Sequence, residues 1–441
     1  MGSEYRTAQL RVKRRPPLGW QVRWAWSPGG CGRTFERFGR RPPPRAFPLR
    51  DRDAILNGVV NDIAGAGTVA STVTSLGRIV NKSVRLLTRP TPGRVIRLNY
   101  AVTYLCDSRC VMCDIWKRYR ENPSGIAQEL TAEEIDAALA GSNTLQSFDT
   151  VSLTGGEPFI KKDFVAIYRV FRRRYPKATI VVTTNGFNSP LIERRTGEML
   201  AAGGPAPVFV FSVDGLADVH EQVRGVRDGL GKIMRSVELV RRLDPAIRIG
   251  LGFTILPENV SDLEGVFQLS KTLETSFTMR FGSRSDTYYR NLHWNATWTE
   301  EQLTAAQEVI GRISADILRS RGRMERRFNP DTYFYSRLVD YQRAPRRIFE
   351  CFSGTHSFFL DPWGNVYPCI ALNTSLGNLR DRPFDELWSS EAAGAVRADI
   401  AAERCHCWTE CEALPSLQRR GHRRQDPAWA QGRGSAADPA E

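Results

Sequence analysis

From Arg94 to Gly282 the chain repeats one pattern, a short run of Val, Ile, Phe or Leu followed by a helical stretch, and few folds accommodate that order. The strand-like runs cover 95–104, 149–154, 178–184, 207–213, 246–255 and 277–282, each bounded by Gly, Asp or Pro. Helix starts between them carry local signals. Thr131–Glu134, Ser261–Glu264 and Thr299–Gln302 spell capping boxes, in which the first hydroxyl accepts from the third helical N–H and the acid or amide reaches back. Ser189-Pro190 reads as an N-cap with Pro at the first helical position. Strands alternating with helices imply parallel βα units joined by right-handed crossovers. Six units instead of eight predict an α/β fold of the partial (β/α)6 TIM-like barrel type. In such a barrel the chemistry belongs at the C-terminal ends of the strands.

Those ends are where the sequence is most unusual. The first strand runs into Cys106, Cys110 and Cys113, spaced C-x3-C-x2-C. Three thiolates on so short a loop can hold three corners of a 4Fe-4S cluster, leaving the fourth iron without a protein ligand. A zinc site would need a fourth Cys or His nearby, and the first His is His220. The second strand ends in Thr154-Gly155-Gly156-Glu157-Pro158, where paired glycines let a ligand approach the backbone and Glu157 offers an anionic acceptor. The third ends in Thr183-Thr184-Asn185-Gly186. The fourth ends in Ser212-Val213-Asp214-Gly215, followed by His220 and Arg224.

With these motifs at successive strand ends, the chain resembles the radical S-adenosylmethionine (SAM) enzymes over roughly residues 94–285. The resemblance implies that Cys106, Cys110 and Cys113 ligate a catalytic 4Fe-4S cluster whose open iron is chelated by S-adenosyl-L-methionine. It places the SAM amino group at Gly155, Gly156, Glu157 and Pro158, and the carboxylate at Ser212 and Arg224. Asp214 is the candidate for the ribose, and Thr184 and Asn185 complete the cofactor-binding set. Met112 stands where the family usually has an aromatic residue against adenine, and a thioether can pack on a purine face. Reductive cleavage of SAM to a 5′-deoxyadenosyl radical is implied, with an electron donor such as a flavodoxin or ferredoxin.

A second cysteine group lies about 240 residues on. Cys351 is followed by twelve residues, Gly364, four residues and Cys369, and then by Cys405, Cys407 and Cys411. Asp361-Pro362-Trp363-Gly364 predicts a turn between two short strands, a β-hairpin with a cysteine on either side. The residue types alone leave zinc open. The C-x12-G-x4-C spacing resembles the SPASM and twitch modules, which implies an auxiliary 4Fe-4S cluster held by Cys351, Cys369 and two of Cys405, Cys407 and Cys411. Nine cysteines without an export signal do not read as disulfides.

The net charge of +14 is mostly a tail property, because residues 1–50 hold twelve Lys or Arg against two acids, along with seven prolines. That composition reads as a disordered basic extension, not a nucleic-acid-binding domain. No run is apolar enough for a membrane span, so a cytoplasmic location is expected. The expected order is the extension (1–50), a helical segment (51–90), the barrel (91–299) and a helical linker (300–345). An auxiliary-cluster domain (346–414) and a polar tail (415–441) complete it. Arg280, Arg284 and Asp286 read as surface charge near a substrate mouth. The expected activity is an oxidoreductase or maturase acting on a peptide or small metabolite. An epimerase or isomerase is the alternative, and a non-catalytic iron-sulfur or zinc protein is a third reading.

Overall fold

The computed structural model of the protein describes residues 94–320 and 329–420. The expected N-terminal extension, the helical segment before residue 91 and the chain beyond residue 420 lie outside the described residues. Six parallel strands form the first part: β1 (Arg97–Thr103), β2 (Thr150–Gly155), β3 (Thr179–Thr184), β4 (Val208–Ser212), β5 (Ile249–Ile255) and β6 (Ser276–Phe281). They lie side by side in chain order. A monotonic order joined by right-handed crossovers places every connecting helix on the same face of the sheet. These helices are α1 (Ala132–Ala140), α2 (Phe164–Arg174), α3 (Ser189–Leu200), α4 (Ala217–Arg224), α5 (Gly229–Leu243) and α6 (Leu263–Thr272).

The strands record this asymmetry residue by residue. On the helix-facing side Val151, Leu153, Ile180, Val182, Phe209 and Phe211 are fully buried in one core with Ile167, Phe171 and Ile233. The alternate residues, including Ser152, Val181, Thr183, Val210 and Thr278, remain partly exposed. They are mostly small or polar and lie in register across the sheet, Ser152 beside Val181 and Thr183 beside Val210. This second face is an open cleft lined by hydroxyls instead of a packed barrel interior.

Two of the expected capping boxes form. Thr131 accepts from Glu134 N at 3.3 Å while Glu134 Oε2 accepts from Thr131 N at 2.8 Å, and Thr299 and Gln302 repeat the arrangement at α7 (Glu300–Arg319). The Ser261 box does not form, because the chain enters α6 through a 3-10 turn over Val260–Asp262, and Asp262 accepts from Leu216 N at 2.7 Å instead. At α3 the cap is Asn188, which accepts from Leu191 N at 3.2 Å. Ser189 there donates to Lys232 O at 3.0 Å, tying α3 to α5.

After α7 come α8 (Pro330–Ser336) and α9 (Leu338–Arg343). The hairpin then forms as the turn chemistry predicts, from β7 (Ser357–Leu360) and β8 (Asn365–Tyr367). Asp361 Oδ1 accepts from Trp363 N and Asn365 N, and Gly364 takes φ +94°, which favours glycine. Sequence alone did not indicate where this hairpin goes. It does not stand apart: β7 pairs in parallel with β1, Arg97 opposite Ser357 and Tyr100 opposite Leu360, and β9 (Gly377–Asn378) pairs with β8. The result is a single nine-stranded sheet in the order β6-β5-β4-β3-β2-β1-β7-β8-β9. The chain continues through α10 (Phe384–Ser389), α11 (Glu391–Ala401) and α12 (Glu410–Arg420), with Pro415 inside the last.

Phe358 of β7 is buried against Phe148, Phe384 and Trp388. Phe358→Ala should cost about 3–5 kcal/mol. The loss should appear in denaturant titration as one earlier transition sensed by probes in both β1 and β7. A barrel transition left in place would show that the hairpin unfolds separately.

Candidate functional site

The cysteine loop is held from two sides by main-chain hydrogen bonds. Thr103 O and Leu105 O, flanking the end of β1, accept from Gly156 N and Glu157 N, each at 2.8 Å. On the other side Arg109 N and Val111 N donate to Arg224 O and Val223 O at the end of α4, each at 3.0 Å. This contact explains the paired glycines. A Cβ at Gly155 or Gly156 would collide with the carbonyl oxygen of Thr103 or Leu105, and Gly155 also takes φ +124°. What approaches the glycine backbone is the neighbouring chain.

Glu157 lies beneath the loop and is buried. Its carboxylate accepts from Asn185 N at 2.7 Å, Thr184 Oγ1 at 2.9 Å and Phe159 N at 3.1 Å. Burial raises its pKa to about 8, against those same hydrogen bonds. Asn185 passes the contact upward, donating from Nδ2 to Asp107 Oδ1 at 2.6 Å and Ser108 Oγ at 3.0 Å within the loop. Pro158 opens a short 3-10 turn capped by Glu157. Thr184, Asn185 and Glu157 thus act as one brace between the ends of β2 and β3 and the cysteine loop.

At the end of β4, Ser212 is buried beside Gly252 of β5. Asp214 is fully buried; Oδ1 accepts from Thr254 N at 2.6 Å, and Oδ2 lies 2.6 Å from Arg224 Nη2. The carboxylate read from sequence as a diol acceptor is therefore engaged by protein at both oxygens. Arg224 Nη1 points to Cys110 Sγ at 3.7 Å, and its buried Nε has no hydrogen-bond partner. Burial works against the Arg224 charge, but Asp214 and then Cys110 outweigh it and hold its pKa above the ordinary value. His220, which the loop pattern singled out, accepts from Asp214 N through Nδ1 at 3.1 Å. Burial followed by Arg224 depresses its pKa to about 3, so it is neutral.

Among the loop thiols, Cys110 is buried, and Cys106 and Cys113 are partly exposed. Burial, then the neighbouring Cys110, pushes Cys113 up to about 12 and raises Cys106 well above the ordinary thiol value. Met112 packs with Cys110, Val223 and Leu256 in a small apolar cluster, and Asn291 Nδ2 fixes its carbonyl at 2.7 Å.

In the C-terminal group, burial raises Cys351 to about 11 and Cys407 to about 12, and each adds to the shift of Cys369. Cys405 is half-buried and faces Arg347. Cys411 lies at the start of α12, and burial raises it to about 12. Both cysteine groups meet one aromatic cluster, in which Cys113 and Cys411 pack with Tyr288, Phe359 and Ile370. Tyr288 and Tyr289 stand edge to face at 4.7 Å, and Tyr288 OH lies 3.2 Å from both Thr154 Oγ1 and Gly155 O. Sequence reading missed this pair; two adjacent tyrosines just after the last barrel strand were its only mark.

Arg280 is not the surface charge the sequence suggested. It is partly buried on the open face of β6 and pairs with Glu410 of α12 at 3.1 Å, whereas Arg284 and Asp286 are exposed. Glu412, two residues along, receives the hydroxyls of Ser353 and Ser357. The start of α12 therefore spans the open face from β6 to β7. Glu129 was also missed: it is buried near the end of β1 and accepts from Thr103 Oγ1, Tyr119 OH and Lys161 Nζ at 2.5–2.8 Å.

Among the described residues, no three His, Cys, Asp or Glu side chains converge on a single-ion site. The donor chemistry nonetheless suits iron-sulfur clusters: two sets of buried or half-buried thiols, one beside a guanidinium whose Nε lacks a partner.

Comparison with known proteins places these features. Residues 100–270 match the model of the radical SAM superfamily, and residues 351–412 match that of SPASM, an iron-sulfur cluster-binding domain. An AdoMet-dependent heme synthase from Methanosarcina barkeri is 26% identical over 310 residues, covering 66% of this chain and 81% of that protein. The mycofactocin maturase MftC of Mycobacterium ulcerans is 26% identical over 306 residues, covering 67% and 74%. The solved structure of native anSMEcpe with bound AdoMet has a TM-score of 0.50 at 15% identity, over 77% of this chain and 98% of that one, a likeness of fold alone.

Two substitutions test the brace. Gly156→Ala should lower the melting temperature through its clash with Leu105 O. Glu157→Gln, which turns an acceptor of two main-chain N–H groups into a partial donor, should cost about 1–3 kcal/mol in denaturant titration. Wild-type stability in both would mean that the loop is held elsewhere.

Proposed function

The chain is a radical SAM enzyme with a C-terminal SPASM iron-sulfur module, and we propose that it is an oxidoreductase or maturase removing hydrogen from a carbon of a peptide or small metabolite. The observation that carries this reading is one aromatic cluster against which both Cys113 and Cys411 pack. A substrate lying in the cleft there would meet both cysteine groups. The names of the relatives support a maturase or a small-metabolite enzyme, one being a mycofactocin maturase and another a heme synthase.

Cys106, Cys110 and Cys113 would hold the catalytic 4Fe-4S cluster. Cys351 and Cys369 with two of Cys405, Cys407 and Cys411 would hold the auxiliary one, and the depth of Cys407 and Cys411 favours those two. With SAM bound, the catalytic cluster supplies a 5′-deoxyadenosyl radical by one-electron reductive cleavage, the electron coming from a donor such as a flavodoxin or ferredoxin. The rest belongs to the chain's own side chains. Arg224, whose Nε has no hydrogen-bond partner, and Ser212 would hold the SAM carboxylate. Met112 supplies an apolar wall for the adenine, and Gly155 to Pro158 with Thr184 and Asn185 keep the loop at fixed height over the cleft. Tyr288 and Tyr289 exclude water between the two cysteine groups, and Arg280 gives the cleft a cation suited to an anionic substrate group. The barrel (91–299), linker (300–345) and auxiliary module (346–414) are proposed here as divisions of a chain whose strands form one continuous sheet.

Anaerobically reconstituted protein should hold about eight irons, two cubanes' worth, and form 5′-deoxyadenosine with dithionite. Replacing Cys106, Cys110 and Cys113 with Ala should leave about four irons and abolish that cleavage; cleavage that survives would refute the assignment. Precursor peptides or metabolites made by neighbouring genes should lose two hydrogens by mass spectrometry. A product of unchanged mass in ordinary water that takes up deuterium in D2O would mean epimerisation instead.

A further inference from the structure

We propose that Arg224 sets the reduction potential of the catalytic cluster, donating a charge-assisted N–H···S bond to Cys110 from a position locked by Asp214. This rests on the assignment of Cys110 as a cluster ligand. Geometry is what sets Arg224 apart from a free side chain waiting for a carboxylate.

Asp214 is hydrogen-bonded at three of its four polar atoms. Its N–H donates to His220 Nδ1 at 3.1 Å, its carbonyl accepts from Asn259 Nδ2 at 2.9 Å, and Oδ1 accepts from Thr254 N at 2.6 Å. Oδ2, the remaining oxygen, lies 2.6 Å from Arg224 Nη2. The anchor is thus fixed from three elements before it touches the guanidinium. Arg224 itself closes α4, where Gly225 turns the chain at φ +67° and donates to Glu221 O at 2.7 Å. Its carbonyl receives Arg109 N, so the residue grips the cysteine loop by its main chain as well.

With Nη2 on Asp214, Nη1 comes to rest 3.7 Å from Cys110 Sγ. A residue meant only to grasp a carboxylate would do best with a free edge of two parallel N–H groups. Here the two terminal nitrogens are directed to Asp214 and Cys110, and Nε is the group left without a partner. The guanidinium is therefore aimed at the sulfur without SAM. Hydrogen bonds and positive charge at a ligand sulfur stabilise the more negative, reduced cluster, and burial strengthens the effect. Arg224 supplies both, which makes the cluster easier to reduce.

The test is an EPR-monitored redox titration of the anaerobically reconstituted full chain without SAM, comparing wild type with Arg224→Met and Arg224→Lys, with iron and sulfide assayed in each. Arg224→Met keeps the bulk of the side chain and removes every N–H. Its loop cluster should titrate at lower potential, with a reduced-to-oxidised ratio at least about tenfold smaller at a fixed potential, about 59 mV for one electron. The auxiliary cluster should not move and serves as the internal reference. Arg224→Lys keeps the charge but not the two terminal nitrogens that meet Asp214 and Cys110 together, and should shift the same way by less. If Arg224→Met does not retain iron, the lysine variant decides the matter. A variant with full iron that titrates with wild type overturns the proposal. Cys110→Ala, run in parallel, should lose the shifted signal. If that signal persists, the loop does not hold the titrated cluster, and it is the functional assignment that fails.

Discussion

Everything at the candidate site depends on four main-chain hydrogen bonds that clamp the cysteine loop between β2 and the end of α4. Main-chain donors and acceptors cannot be moved by a change of rotamer, so the loop inherits the rigidity of a parallel sheet on one side and a helix terminus on the other. Below it, Glu157 and Asn185 extend the clamp into side chains. The thiols, buried and raised in pKa, are then presented at fixed height over a cleft that the helices leave uncovered.

That cleft follows from connectivity. Six strands in chain order with right-handed crossovers put every barrel helix on one side, so the hydrophobic alternation serves one face only. The other face carries Ser152, Thr154, Thr183 and Thr278, side chains too short to fill a barrel interior. The space they leave is bounded above by Tyr288, Tyr289 and the start of α12. An open sheet would end in bare edges there; β7 covers the β1 edge.

The strand order, the cysteine loop and the hairpin were legible because each is a local signal: alternation of strand and helix, three cysteines on a short loop, and Asp361 and Gly364 at fixed places in a turn. The glycines at 155 and 156 were visible, but the reason for them was not, since Thr103 O and Leu105 O approach them across a strand pairing. Ser261 failed as a cap because Leu216, from another loop, needs Asp262. Glu129, Tyr288 and Arg280 were missed or misjudged for the same reason. Apart from Tyr119, 10 residues from Glu129, the hydrogen-bond partners of their side chains lie 25 to 134 residues away, and no spacing rule spans that distance.

The parallel pairing of β7 with β1 has a consequence for assembly. Arg97 waits for Ser357, about 260 residues later in the chain, and the span over the open face waits longer still, for Glu410. Contacts so distant in sequence form late and slowly, and a chain emerging from the ribosome completes its N-terminal strands first. Between the synthesis of β6, which ends at Phe281, and of β7, which begins at Ser357, the six-stranded sheet therefore has its β1 edge unprotected, and the open face above Cys106, Cys110 and Cys113 stays uncovered until Glu410. During that interval the last helix does not yet span the face that carries the cysteine loop. Once α12 arrives, the same residues that bound the cleft become the barrier to leaving it.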